Sequence, residues 1–177
     1  MKKNNILDIQ KLKNLNTPFA TLTAYDFPSA KIINELNIPI VLVGDSASMV
    51  VYGYKDTTPI HMDEMLLITK AVARGISTAL LVGDIPFMSY QPSVEVAVQN
   101  AGRLIKEGLM DAVKLEGGKR VINQIKFLIA NKIPVMGHLG LLPQTAKGKF
   151  KSKGKTVKEK KQLLEDAMLL QKAGVFS

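Results

Sequence analysis

Residues 41–50 read VLVGDSASMV, an apolar, β-branched run that breaks on Gly44, Asp45 and Ser46. The pattern recurs at 79–87, ALLVGDIPF, where the run ends on Asp84, and at 112–118, AVKLEGG, where it ends on Glu116. One such run is ordinary. Three call for an architecture that gathers strand ends in one place.

Working outward, nearly continuous apolar runs predict strands at 19–25, 38–44, 78–83, 111–115 and 134–139. Such runs suit parallel strands covered on both faces. Segments of helical period predict helices at 28–36, 62–74, 93–107, 119–131 and 157–173. Pro92 and Gly108 bracket the third. The last aligns Leu163, Leu164, Ala167, Met168 and Leu170 on one face and stops at Gly174. Strand and helix alternating five times give a parallel α/β domain. An open doubly wound sheet and a closed (β/α)8 TIM barrel then compete. The first strand runs into DFPSAK rather than a G-x-G-x-x-G turn, and no complete G-x-x-x-x-G-K-[ST] phosphate loop appears. Asp26, Asp45, Asp84, Glu116 and His138 each fall at or just past the carboxyl end of a different strand. In a barrel all five meet at the mouth where active sites of that fold lie. The expectation is a single incomplete barrel domain over 1–177, holding the first five βα units of a fold that takes roughly 250 residues. Its first and fifth strands are expected as open edges.

Composition sets the class. The 177 residues include no cysteine, which excludes disulfides, thiol nucleophiles and thiolate metal sites. No apolar stretch approaches the roughly 18 residues of a bilayer span, and the basic N-terminus lacks a secretory apolar core. A cytoplasmic location is expected. The net charge is +9, but residues 147–161, KGKFKSKGKTVKEKK, hold eight Lys and one Glu, so +7 resides there and +2 elsewhere. That segment has one aromatic residue, Phe150, and no arginine, which serves nucleic-acid recognition poorly. A solvated Lys-rich loop, with no nucleic-acid or membrane partner, is the expectation.

Asp45, Asp84 and Glu116 offer oxygen ligands suited to Mg2+ rather than zinc. Each one alone could instead cap the helix that follows it. Lys114 lies two residues before Glu116, so both point to one face of the strand. A lysine inside AVKLE needs a negative partner unless it faces water. His138 is a candidate catalyst or a hydrogen-bonded core histidine. His61 lies at a helix start beside Asp63 and is expected to help cap it. Gly117 and Gly118 could cradle a phosphate or form a tight turn. Ser46 could bond a carboxylate or the helix after it.

Taken together, TLTAYDFPSAKI, VLVGDSASMVVYGYKDTT, LLVGDIPFMSY, AGRLIKEGLMDAVKLEGG, IPVMGHLGLLPQ and LLEDAMLLQKAGVFS resemble the ketopantoate hydroxymethyltransferase family in order and spacing. The resemblance implies a (β/α)8 barrel, homo-oligomers that are typically decamers, and a Mg2+ ion. It also implies transfer of a one-carbon unit from 5,10-methylenetetrahydrofolate to 3-methyl-2-oxobutanoate through an enolate, giving 2-dehydropantoate on the route to pantothenate. By the same resemblance Asp45 and Asp84 are metal ligands that also meet the substrate. Glu116 is the third metal-site carboxylate, and Ser46 and Lys114 bind substrate. The family's general base is a glutamate ending a sixth strand, which lies beyond Ser177. The loop after the fifth strand, AKGKFKSKGKT, is shorter than usual; it could cover the mouth or attract the glutamate tail of folate. Ser48 and PIHMDEM differ mildly from the common pattern. Alternative readings are an inactive remnant or partner subunit of such an enzyme, another Mg2+-dependent lyase or aldolase of 2-oxo acids, and RNA binding through the Lys-rich segment.

Overall fold

The computed structural model describes residues 2–146 and 150–177. Five strands, β1 Thr21–Thr23, β2 Ile40–Val43, β3 Leu80–Asp84, β4 Ala112–Glu116 and β5 Val135–His138, pair in sequence order, all parallel. The helices are α1 Ile6–Asn14, α2 Phe27–Glu35, α3 Ala47–Val50, α4 Met62–Gly75, α5 Val94–Lys106, α6 Ile122–Ala130, α7 Pro143–Ala146 and α8 Val157–Ala173. A single 3-10 turn, Lys119–Val121, precedes α6. All five predicted strands and all five predicted helices are present within a few residues. The architecture is that of five consecutive βα units of a (β/α)8 barrel.

Register assigns the two faces of the sheet. Val41, Val43, Leu81, Val113, Leu115 and Val135 turn outward into the main core with α2, α4, α5 and α6. The alternate residues face inward. In that direction Ile40 pairs with Leu80, Leu42 with Val82 and Ala112, Asp84 with Lys114 and Met136, and Glu116 with His138. The helices form for local reasons. Ser93 accepts the Val96 N–H at 3.2 Å to start α5, whose Ala97, Ala101 and Leu104 fall on its buried stripe. Thr156 and Glu159 form a capping box at the start of α8, and left-handed Gly174 (φ 97) ends it.

One element was not anticipated and three expectations change. The N-terminal segment forms α1, which starts with a reciprocal Asn5–Asp8 cap and inserts Ile9 beneath the inner face. Lys3 pairs with Asp111 at 2.7 Å, and the Asn4 N–H bonds to the Thr78 carbonyl, which ties this closure down. The predicted apolar face of α8 is covered only in part, because α6 is its main helical neighbour: Leu170 is buried, whereas Leu164 and Met168 are 66% and 56% exposed. β1 is an exposed edge as expected, but β5 is not bare. The Phe176 N–H bonds to the Val135 carbonyl, the Gly137 N–H bonds to the Ser177 carbonyl, and Phe176 is buried on the inner face. Of the Lys-rich loop, residues 147–149 lie outside the described residues, and 157–161 form the first turn of α8 rather than loop. Among the described residues no helix is long and apolar enough to cross a membrane.

Candidate active site

The inner face carries charge only at its carboxyl end. Asp84 ends β3, Lys114 lies beside it on β4, Glu116 ends β4, and His138 sits next to Glu116 on β5. Asp45 follows β2 through Gly44. A Cβ on Gly44 would lie 2.8 Å from Ser46 Oγ and 3.4 Å from Asp84 Oδ2, so only glycine allows the strand end to approach both. The Asp45 N–H then donates to Asp84 Oδ2 at 3.2 Å. The abrupt break of VLVGDS is therefore the close approach of two acidic strand ends.

Lys114 Nζ lies 2.6 Å from Asp84 Oδ1, with side chains 12% and 5% exposed. The Asp84 carboxylate is the negative partner that a lysine in AVKLE requires. Burial alone would lower its pKa; the charge of Asp84, followed by its hydrogen bond and then Asp45, raises it instead, so Lys114 stays charged. Burial, then the neighbouring Asp84, pushes Asp45 up to about 7, with the Gln144 hydrogen bond and Lys114 opposing. Burial raises Asp84 as well, against the opposing ammonium. Asp84 keeps the cation, so Asp45 is the carboxyl that takes up a proton near neutrality.

Glu116 is held differently. Its Oε2 accepts the Gln144 N–H at 3.1 Å, and Oε1 lies 3.3 Å from His138 Nδ1. Tyr90 OH accepts the Glu116 N–H at 3.2 Å, and its single hydrogen is shared between the Glu116 carbonyl at 3.1 Å and Gln144 Oε1 at 2.8 Å. Gln144 joins this group to Asp45, donating to Asp45 Oδ2 at 2.8 Å. Ser46 Oγ meets Tyr25 OH at 2.7 Å and does not cap α3, which removes its helix-capping alternative.

The donors fit a hard divalent cation. Three buried carboxylates face one buried ammonium, all the donors are oxygen, and Asp84 Oδ1 is buried with no hydrogen bond beyond its ion contact. The fit is narrower than the expected three-carboxylate set. Among the described residues no group of three His, Asp or Glu side chains is arranged to hold a metal ion. Asp45 and Asp84, joined by the Asp45 N–H to Asp84 Oδ2, are the candidate direct ligands, and Glu116, one of whose oxygens accepts from Gln144, lies beside them.

Two other expectations need correction. Asp26 does not reach the mouth; its carboxylate caps α2 by accepting the Ser29 N–H at 2.7 Å. The Gly117–Gly118 turn holds no phosphate cradle, because the Asp166 carboxylate of α8 fills it. A Cβ on Gly118 would lie 2.2 Å from Asp166 Cγ, and the Lys119 N–H already donates to Asp166 Oδ1. His61 stands at the N-cap of α4 as expected, where its N–H bonds to Glu64. Sequence reading did not single out Tyr25, Tyr90 or Gln144. Their placement depends on tertiary meetings up to 99 residues apart in sequence. The one local cue was Pro143–Gln144, five and six residues after the strand histidine His138.

A sequence profile described as ketopantoate hydroxymethyltransferase matches residues 3–177. The chain is 51% identical over 179 residues to 3-methyl-2-oxobutanoate hydroxymethyltransferase of Clostridium kluyveri, covering 100% of this chain and 64% of that protein. It is 51% identical over 177 residues to the enzyme of the same name from Clostridium botulinum (strain Alaska E43), covering 99% and 64%. The chain thus spans about 64% of the length of these relatives. Among solved structures it is similar in fold to phosphonopyruvate hydrolase in complex with oxalate and Mg2+, with a TM-score of 0.72 and 13% identity over 99% of this chain and 61% of that one. It is also similar to 2,3-dimethylmalate lyase, a PEP mutase/isocitrate lyase superfamily member, with a TM-score of 0.66 and 8% identity over 99% and 61%. The chain belongs to the ketopantoate hydroxymethyltransferase family.

Proposed function

We propose that this site serves the transfer of a hydroxymethyl group from 5,10-methylenetetrahydrofolate to 3-methyl-2-oxobutanoate, giving 2-dehydropantoate on the route to pantothenate. The observation that carries the reading is Lys114, a buried ammonium paired with Asp84 and set beside Asp45 at the polar end of the inner face. Membership of a hydroxymethyltransferase family supports it. The reaction removes the C3 proton beside the keto group and joins C3 to the methylene carbon. That carbon leaves the folate nitrogens, and water supplies the hydroxyl oxygen.

Mg2+, held by Asp45 and Asp84, supplies Lewis acidity toward the keto acid when bound. The remaining work belongs to the chain. Lys114 presents a fixed positive charge to the developing enolate oxygen in a site largely closed to water, an effect typically worth several kcal/mol of barrier. Ser46, oriented by Tyr25, is placed to bond the substrate's carboxylate. His138, facing Glu116, is the residue of this chain best placed to move a proton. Phosphonopyruvate hydrolase, similar in fold, has been solved in complex with oxalate and Mg2+. A cavity of about 240 Å³ is walled by Tyr90, Gln91, Glu116 and Arg120, and Glu116 is the site carboxylate that lines it. It shares Arg120, Leu142 and Thr145 with a second, of about 420 Å³, that adds Lys151 and Lys153. Those cations suit an anionic donor such as folate. The reading includes a cytoplasmic location and a homo-oligomer, the latter in keeping with the exposed Val50, Val51, Tyr52 and Tyr54.

Deuterium exchange at C3 of 3-methyl-2-oxobutanoate in D2O tests the proposal. Exchange should require Mg2+ and disappear in Asp45→Ala and Asp84→Ala; its survival in both variants removes the metal assignment. Product should form only with methylenetetrahydrofolate present. Turnover of the keto acid without folate would indicate a Mg2+-dependent lyase or aldolase instead.

A further inference from the structure

Gln144 is 3% exposed and bonds through every polar group it has for the purpose. Its Nε2 donates to Asp45 Oδ2 at 2.8 Å and to the Ile85 carbonyl at 3.0 Å. Its Oε1 accepts from Tyr90 OH at 2.8 Å and from Gln91 Nε2 at 3.0 Å. Its backbone N–H donates to Glu116 Oε2 at 3.1 Å. Both amide hydrogens and both lone pairs of the side-chain oxygen are used. The Ile85 carbonyl and the Asp45 carboxylate set the orientation: turned over, the amide would place its oxygen against both.

We propose that Gln144 is a positioning residue for the candidate cation ligand Asp45 and for Glu116 beside it. It fixes one oxygen of Asp45 and one of Glu116 from a single rigid point, so that the remaining oxygens are set before an ion arrives. This rests on the reading that Asp45 takes part in holding Mg2+. The placement is economical in chain terms. From α7, beyond β5, one residue ties together the end of β2, the loop after β3 and the end of β4. Partners that orient metal ligands typically contribute about 10- to 100-fold in metal affinity. The chemistry is specific to glutamine, since only a side-chain amide offers two donors toward Asp45 and Ile85 and an acceptor toward Tyr90 and Gln91. Glutamate would put negative charge against Asp45, and methionine would keep the bulk but lose every side-chain bond.

The test uses Mn2+ as probe, with its affinity read by electron paramagnetic resonance and stability read separately by thermal melting. Gln144→Met and Gln144→Glu are expected to weaken Mn2+ binding about 10- to 100-fold, with Glu no better than Met despite its similar shape. Gln91→Leu, which removes one donor to Gln144 and touches no carboxylate, should weaken binding a few-fold, and Tyr90→Phe should fall between. In the unsubstituted protein the Gln144 side-chain NH2 resonances should shift on Mg2+ titration. Mn2+ affinity within twofold of the unsubstituted protein in Gln144→Met, with a lowered melting midpoint, reduces Gln144 to a loop staple and overturns the proposal. If Gln144→Met does not fold, unchanged affinity in both Gln91→Leu and Tyr90→Phe overturns it equally. Failure of the unsubstituted protein to bind Mn2+ at all would instead remove the functional reading, and this inference with it.

Discussion

The two ends of the sheet's inner face have opposite chemistry. At the amino end Ile40, Leu80, Val82 and Ala112 pack with Phe176 and with Ile9 of α1, with no charged side chain among them. Two residues further along the same strands stand Asp84, Lys114, Glu116 and His138. The backbone is the same and so is the pairing; only the side chains differ. The apolar end contributes burial at about 25 cal/mol per Å². The polar end gives up hydration of its charges, and a buried ion pair is weak evidence for stability. The amino end is built to hold the barrel wall together, and the carboxyl end gives up some of that stability to keep charge where the proposed ion and keto acid would use it.

Exchanging the chemistry of the polar end tests this contrast most severely. Replacing the pair with Asp84→Leu and Lys114→Met should abolish C3 exchange altogether while leaving stability in urea unchanged or about 1–4 kcal/mol higher. A double variant that unfolds would show that the charges support the fold. Lys114→Met alone strands Asp84 beside Asp45 without a cation. It should cost about 3–5 kcal/mol in urea titrations, and added Mg2+ should restore part of that. At the apolar end Leu80→Ala should cost about 2–5 kcal/mol, yet leave the exchange rate of the folded fraction as it was. A large rate loss there would break the division between the two ends.

A further effect is expected on the pH dependence of stability. Asp45 is pushed from 3.8 to about 7 in the folded chain. The folded state therefore keeps a proton that the unfolded state has already lost between those values. Stability without metal should decline as pH rises from about 4 to about 7. Asp45→Asn should flatten that decline, as read from urea midpoints across the range.

The same contrast explains what was legible beforehand. Apolar runs and the residues that end them are local, so the five strands and the positions of Asp45, Asp84, Lys114 and Glu116 could be read directly. Asp26 occupies the equivalent place after β1 and looks the same in sequence, yet it caps α2, because a carboxylate followed by Phe-Pro-Ser has a local N–H to accept from. α1 was signalled by its Asn5–Asp8 cap, which the surrounding lysines obscured. The face of α8 was periodic, but periodicity cannot say which neighbours arrive to cover it. Gln144 and Tyr90 were beyond local reading, because their partners come from other βα units.

The central claim is that Asp45 and Asp84 grip a divalent cation together with a 2-oxo acid. Crystals of the protein soaked with Mn2+ and 3-methyl-2-oxobutanoate, measured for anomalous scattering, address it directly. The account predicts one strong peak bonded to both carboxylates, with the keto acid completing its coordination and Lys114 beside the keto oxygen. A peak elsewhere, or a bound keto acid with Asp84 still closed on Lys114 and no metal between the two aspartates, would contradict it.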